Sequence, residues 1–457
     1  NRISPRDRFQ DIYLAAWHIY ETYRFDYDHF IRLCHDHGIA VYAWFEFPQV
    51  TPLFWETHPE WREKTATGKD ALCHWRLQMN LFRPESREAV LAFFREMLMS
   101  HDWDGVNLAE LNFDTNGGAE DPDKFTPMNR DVRDAFREKE GFDPGDLFSP
   151  SSARYWKNNR AALDAFLRFR CGLTRELHEA FLGEAERAAK AKGKDMEIIV
   201  TAMDSLLHPE IVEDCGIDTR DIIGLMDRYA FTLQVEDPSR SWTRSPARYL
   251  EYYEAYKALI KDERRLMFDI NCLANRDIRG TALPSSLATG TELATTVFYA
   301  SLPSGRVGIY AESTLAPFDL DILPFVLGAD VAVAASGSGY RIEAKRPFTL
   351  PVSGEGFLPV VGKEPWPFLG PRGISSPSGT YRLEFEKAGL LDMPSLSSQI
   401  AFDGDFTALE RTANSYKLKY TSPIPVSMTF NGSLESVLLD AVDITPDPDR
   451  TGIILPR

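Results

Sequence analysis

Up to about residue 320 the chain alternates short apolar runs with longer amphipathic stretches, and this alternation restricts its fold more than any other feature. Ile12–Trp17 reads as a strand, Tyr27–His37 as a helix stopped by Gly38, and Ile39–Phe47 as a buried strand ended by Pro48. A long loop rich in Trp and Pro leads to a helix over Glu85–Ser100 and a strand over Gly105–Leu111. After an irregular insertion, helical sequence dominates from Ser151 to Lys192, followed by a strand over Glu197–Ala202. Strands over Gly224–Leu233, Arg265–Ile270 and Arg306–Ala311 follow, with helices over Ala247–Lys261 and Glu292–Leu302 between them.

Strands alternating with helices imply parallel βαβ units, because parallel neighbours need a crossover. Seven candidate strands in about 310 residues fit a (β/α)8-type TIM barrel better than an open doubly wound sheet. The dinucleotide-binding version of an open sheet is weakened further, since no GxGxxG follows any strand. Three explanations of the eighth strand stay open: one strand unrecognised, a seven-stranded barrel, or a first strand upstream of Asn1. Beyond about residue 325 the helical period fades into Gly, Pro and Ser punctuated by β-prone runs, such as Tyr340–Ala344, Tyr381–Phe385, Tyr416–Tyr420 and Val426–Phe430. The expected organisation is an α/β barrel over residues 1–325 and an antiparallel β-rich domain over 326–457.

Charge narrows the partners. Lys and Arg total 51 against 68 for Asp and Glu, a net charge of −17 that repels phosphate backbones and anionic headgroups. Nucleic acid is therefore not an expected partner, and no run of eighteen apolar residues is present to span a bilayer. Cys34, Cys73, Cys171, Cys215 and Cys272 are odd in number and form no CxxC pair, which disfavours a disulfide framework or a zinc-finger-type site. The sequence starts at Asn1, and the expectation is either a signal peptide already removed or upstream sequence that is missing. The expected location is secreted, or periplasmic and envelope-associated.

In a parallel barrel, chemistry sits where strands end at the C-terminal face. Six of the seven strands are read as ending in carboxylates: Glu46, Glu110, Asp204, Asp227, Asp269 and Glu312. Desolvating an ionisable group at a buried strand end needs a reason. Eight of the nine tryptophans precede residue 250; Trp17 and Trp44 fall at strand ends, and Trp55, Trp61 and Trp75 in the loop after the second strand. Aromatic faces stack on sugar rings while carboxylates accept from hydroxyls, so the combination reads as a saccharide cleft. Glycosidic bonds are cut by two carboxyl groups in unequal environments. A metal held by His18, Asp204 and His208 is the competing arrangement, though no HxH or HExxH spacing supports it. With no P-loop or GxSxG elbow either, no cofactor and no metal is expected.

A resemblance runs from His58 to Glu110. His58-Pro59-Glu60-Trp61, Met79-Asn80-Leu81, Pro84-Glu85-Ser86-Arg87 and Asp104-Gly105-Val106 occur in that order, and Met226-Asp227-Arg228-Tyr229 with Gln234 follows later. The set resembles the bacterial glycosyl hydrolases of the glycoside-hydrolase-like TIM-barrel group. It is similar to the hydrolase domain attached to bacterial poly-N-acetylglucosamine deacetylases, and more distantly to α-amylase and α-galactosidase barrels. The resemblance covers about 200 residues and departs from the family where Ala109 and Glu110 replace a pair of aspartates and Asn80-Leu81 replaces Asn-Pro.

The resemblance implies a barrel acting on polysaccharide. Glu110 is the expected general acid, with Asp269, Glu312 or Asp204 as its partner. Trp17, Trp44, Glu46, Trp55, Asp227 and Tyr229 are the expected substrate-binding residues. Two alternatives accompany this expectation: a non-catalytic carbohydrate-binding barrel, since Ala109 removes one family carboxylate, and a metal-dependent hydrolase or deacetylase of a saccharide.

Overall fold

The computed structural model describes residues 26–73, 76–113, 117–242, 244–272, 290–310, 315, 319, 323, 326, 331–337, 339–345, 348–351, 357–361, 364–365, 369–370, 373–376, 379–387, 400–402, 405–411, 415–422, 424–430, 434–448 and 450–457. The chain divides into two compact units, residues 26–29 with Tyr42–Pro238 and Phe30–Val41 with Ser239–Arg457. Residue 325, where the sequence changes texture, falls inside the second unit.

Helix α1 (Tyr27–Asp36) comes first, followed by strand β1 (Tyr42–Phe45), helix α2 (Pro52–Thr57) and a small hairpin of β2 (Leu72–Cys73) and β3 (Arg76–Leu77). Helix α3 (Pro84–Ser100) begins with a proline whose missing N–H is not needed in the first turn, and strand β4 (Gly105–Ala109) comes next. Helices α4 (Arg130–Glu140) and α5 (Arg160–Lys192) lead to strand β5 (Glu197–Met203) and then β6 (Phe231–Glu236). Asn159 caps α5 by accepting from Ala162 N, and Gly193 closes it at φ 62°.

β1, β4, β5 and β6 pair in parallel, in chain order. Their alternating side chains give the sheet two unlike faces. One face is apolar and buried: Ala43 and Phe45, Val106 and Leu108, Ile198 and Val200, Phe231 and Leu233. Helices α3 and α5 cover it through Phe94, whose ring lies 4.9 Å from Phe45 and 5.2 Å from Phe181. Each such side chain contributes about 1.5–3 kcal/mol by leaving water. The other face is mostly polar. There Glu197 accepts from Tyr42 Oη and Thr232 Oγ1, both at 2.7 Å, and Thr201 Oγ1 donates to Asn107 Oδ1 at 2.9 Å. Gly105 is required in this layer, because a Cβ there would stand 2.2 Å from the Tyr42 ring and 2.6 Å from the Glu197 carbonyl.

The strand expected over Gly224–Leu233 is displaced. Thr219–Leu225 is a helix, capped by Asp218 and burying Ile222 and Leu225, and β6 starts only at Phe231. An apolar run such as Ile222–Met226 fits a helix or a strand equally well by pattern alone.

In the second unit, β7 (Leu266–Asn271) and β8 (Val307–Tyr310) pair in parallel, with Asp269 opposite Gly308. Helix Arg248–Lys257 lays Tyr249, Tyr252 and Tyr256 around Phe268, with ring centroids 5.8–6.2 Å apart. From Val331 onward all described strands are antiparallel, as expected. Ile342, Leu383, Val426, Met428, Phe430, Ile453 and Leu455 form a small core there. Asp36, at the end of α1, pairs with Arg450 at 2.8 Å and accepts from Thr451 N at 2.7 Å.

The fold is therefore α/β, with six described parallel strands and antiparallel sheets after them. These strands do not by themselves close an eight-stranded barrel, and Ile12–Trp17 lies outside the described residues. No described helix is long and apolar enough to cross a membrane.

Candidate active site

Two carboxyl groups stand directly after neighbouring strands of the first unit. Glu46 directly follows β1, Glu110 directly follows β4, and these strands are registered neighbours with Phe45 opposite Leu108. Glu110 ends its strand in an unusual way: its backbone is left-handed at φ 53°, a region that an extended acidic side chain rarely adopts. Such conformations persist where surrounding structure holds them, and they cluster at functional sites.

Both carboxyls meet the same cation. Arg76 forms an ion pair with Glu110, and its charge also acts on Glu46. The β2–β3 hairpin delivers this arginine, with Cys73 opposite Arg76 and Leu72 opposite Leu77. The chain after β1 anchors the hairpin: Val50 N donates to Leu77 O at 3.0 Å and Met79 N to Pro48 O at 3.1 Å.

The two environments differ. Burial pushes the Glu46 carboxyl above the usual carboxylate range, and the Arg76 charge and a hydrogen bond from Trp44 oppose that rise without cancelling it. Glu110 is about a quarter exposed and sits directly against the guanidinium. Trp44 stands on the same strand as Glu46 and keeps 42% of its surface exposed, so a flat apolar face lies beside a carboxyl inclined to hold its proton.

The other expected site residues divide into distinct groups. Asp204 is fully buried after β5, and its own loop surrounds its carboxylate: Leu206 N donates at 3.0 Å, Leu207 N at 3.1 Å and His208 Nδ1 at 2.7 Å. Asp227 needs correction as a residue closing a strand, because it precedes β6, and Tyr229 likewise lies before that strand. Asp227 is exposed there, and Arg228 stacks over the Tyr229 ring at 5.4 Å. Asp269 is a buried residue inside β7, followed by two more strand residues, rather than a terminal one. Trp55 has the Arg62 guanidinium 3.6 Å over its ring, and Trp61 stacks on His58 at 4.1 Å, so each has one face covered. Trp17, Trp75, His18 and Glu312 lie outside the described residues.

Sequence reading missed Arg76 entirely. A lone arginine in an irregular loop has no periodicity, and only the hairpin register brings it to the strand ends. Among the described residues no group of three or more His, Cys, Asp or Glu is placed to hold a metal ion. His208 is turned onto Asp204 itself.

No protein-family model matches the chain, and no curated protein matches it. Among solved structures, it is similar to the glycoside hydrolase domain of PgaB (BpsB) from Bordetella bronchiseptica, at 13% identity and TM-score 0.45 over 63% of this chain and 75% of that one. A β-galactosidase from the psychrophilic Marinomonas ef1 is similar at 12% identity and TM-score 0.41, covering 62% of this chain and 45% of that one. An α-galactosidase from Lactobacillus brevis is similar at 13% identity and TM-score 0.37, covering 79% and 46%. The chain thus spans less than half the length of either galactosidase.

Proposed function

We propose that the chain is a glycoside hydrolase acting on an oligo- or polysaccharide, with Glu46 as general acid and Glu110 as nucleophile. One observation carries this reading: carboxyl groups at two neighbouring strand ends gather about one arginine, in environments that favour a proton on one and a charge on the other. The assignment reverses the role expected for Glu110 from sequence, because an arginine partner favours the ionised carboxylate over the proton donor.

Glu46 would donate its proton to the glycosidic oxygen as Glu110 attacks the anomeric carbon, forming a glycosyl ester and releasing the leaving alcohol. Glu46, now ionised, would take a proton from water as that water attacks the ester, regenerating both groups. A carboxyl separation of about 5–5.5 Å would go with retention of anomeric configuration, as a nucleophilic Glu110 requires. Trp44 supports the reading by offering a stacking face beside the acid. A polymeric substrate too large to cross a membrane goes with a secreted or envelope location.

The test is turnover on a panel of polysaccharides with wild type, Glu46→Gln and Glu110→Gln, and product anomers followed by proton NMR. Retained turnover in either variant would sink the assignment of that residue. Ala109, standing where the resembling family keeps a carboxylate, favours a second reading as a carbohydrate-binding barrel. Saccharide binding without turnover would select it.

A further inference from the structure

We infer that Arg76 is a positioning residue that divides the labour between Glu46 and Glu110, an inference that rests on the hydrolase reading above. Two carboxyl groups at adjacent strand ends, left to themselves, repel one another and share a proton, and either could serve as the acid. Arg76 removes that symmetry. Arg76 makes a direct ion pair with Glu110, whereas Glu46 feels its charge and takes its hydrogen bond from Trp44. The proton is thereby directed to Glu46.

The backbone fixes this inequality. The hairpin that carries Arg76 is anchored to Pro48 and Val50, two and four residues beyond Glu46. The same loop that begins at Glu46 therefore delivers the cation to the end of the next strand. The receiving residue, Glu110, departs from strand geometry at that very point. An arginine also suits the task chemically: it stays charged across the working pH range, so its field does not titrate with the groups it organises, and its planar fork holds a carboxylate in one orientation. At 25% exposure it is partly shielded from screening water, yet it has no proton to exchange in the reaction.

Two measurements on the full chain test this. The first is kcat/KM against pH for wild type, Arg76→Gln and Arg76→Lys on whichever saccharide the panel shows to be cleaved. Arg76→Gln should lose activity by about 10²-fold, and the acid limb of its bell-shaped profile should move to higher pH by about one unit while the alkaline limb moves less, since Glu110 loses its ion-pair partner and Glu46 only a neighbouring charge. Arg76→Lys should restore the limbs most of the way while recovering activity only in part. The second is a carboxyl carbon NMR titration of glutamate-labelled protein, assigned with Glu46→Gln and Glu110→Gln. Glu110 should titrate below Glu46 in wild type, and the gap should close in Arg76→Gln. Unmoved limbs together with an unmoved gap would overturn the inference, leaving Arg76 as a structural tie alone. Wild type without turnover on any saccharide would sink the hydrolase reading instead, and the titration, which needs no substrate, would still decide the role of Arg76.

Discussion

The end of β5 and the paired ends of β1 and β4 begin from the same chemistry and reach different outcomes. Each strand is followed at once by an acidic residue: Asp204, Glu46 and Glu110. Asp204 is completed by the next four residues of its own loop, through two backbone N–H groups and His208. Glu110 is completed by a side chain that arrives from a separate hairpin, and Glu46 by the tryptophan two residues before it on the same strand together with that hairpin's charge. A carboxylate that accepts from its own loop ties that turn together. A carboxylate held across elements and left partly open can exchange its partner for a ligand. Acidity at a strand end is thus no guide to chemistry until the source of its hydrogen bonds is known.

This contrast can be broken most sharply by isosteric amides. Glu46→Gln and Glu110→Gln should each lower kcat by about 10³-fold or more while leaving the thermal midpoint near that of wild type. Asp204→Asn should do the reverse. It should remove about 1–3 kcal/mol from the unfolding free energy in urea, with kcat per folded molecule retained. Abolished turnover in a well-folded Asp204→Asn protein would show that the two strand ends are not different in kind.

A smaller effect is expected at Trp44→Phe, which keeps a ring but loses the indole donor to Glu46. Saccharide binding should weaken by about 1 kcal/mol, read as a rise in KM larger than the fall in kcat. A mutation with no effect on KM would remove Trp44 from the cleft.

The smallest signal is a linkage effect. Because burial raises Glu46 in the folded state above its ordinary value of 4.5, the native protein holds a proton that the unfolded chain releases. Its stabilising contribution is complete below that value and declines as pH rises through the folded value. Wild type should therefore lose stability relative to Glu46→Gln as urea titrations move from about pH 4 to about pH 8. A difference independent of pH would contradict the raised carboxyl.

Much of the first unit was legible because its signals are local. The apolar run Glu197–Ala202 is a strand almost to the residue, and the helix after Pro84 follows from proline at its first position. Glu46 and Glu110 were legible as strand-end carboxyls for the same reason. Their division of roles was not, since it depends on burial and on an arginine that only the pairing of β2 with β3 brings close. The error at Asp227 and Tyr229 has a local origin as well. Ile222–Met226 carries no mark that separates helix from strand, and displacing the strand start to Phe231 places both residues ahead of the strand instead of within it. Asp204 looked the same in sequence as Glu110, because hydrogen bonds to a loop's own backbone leave no compositional trace.

The left-handed backbone at Glu110 has an evolutionary consequence. An asparagine tolerates that conformation better than a glutamate, whose backbone strain there is about 1–2 kcal/mol. Mutation toward asparagine would thus relax the chain while discarding the reactive group, so that selection for folding and selection for chemistry pull this one position apart. Lineages that had lost the activity would be expected to drift to Asn or Gly at position 110, and the residue found there in a set of related sequences would serve as a marker of which copies still turn over substrate.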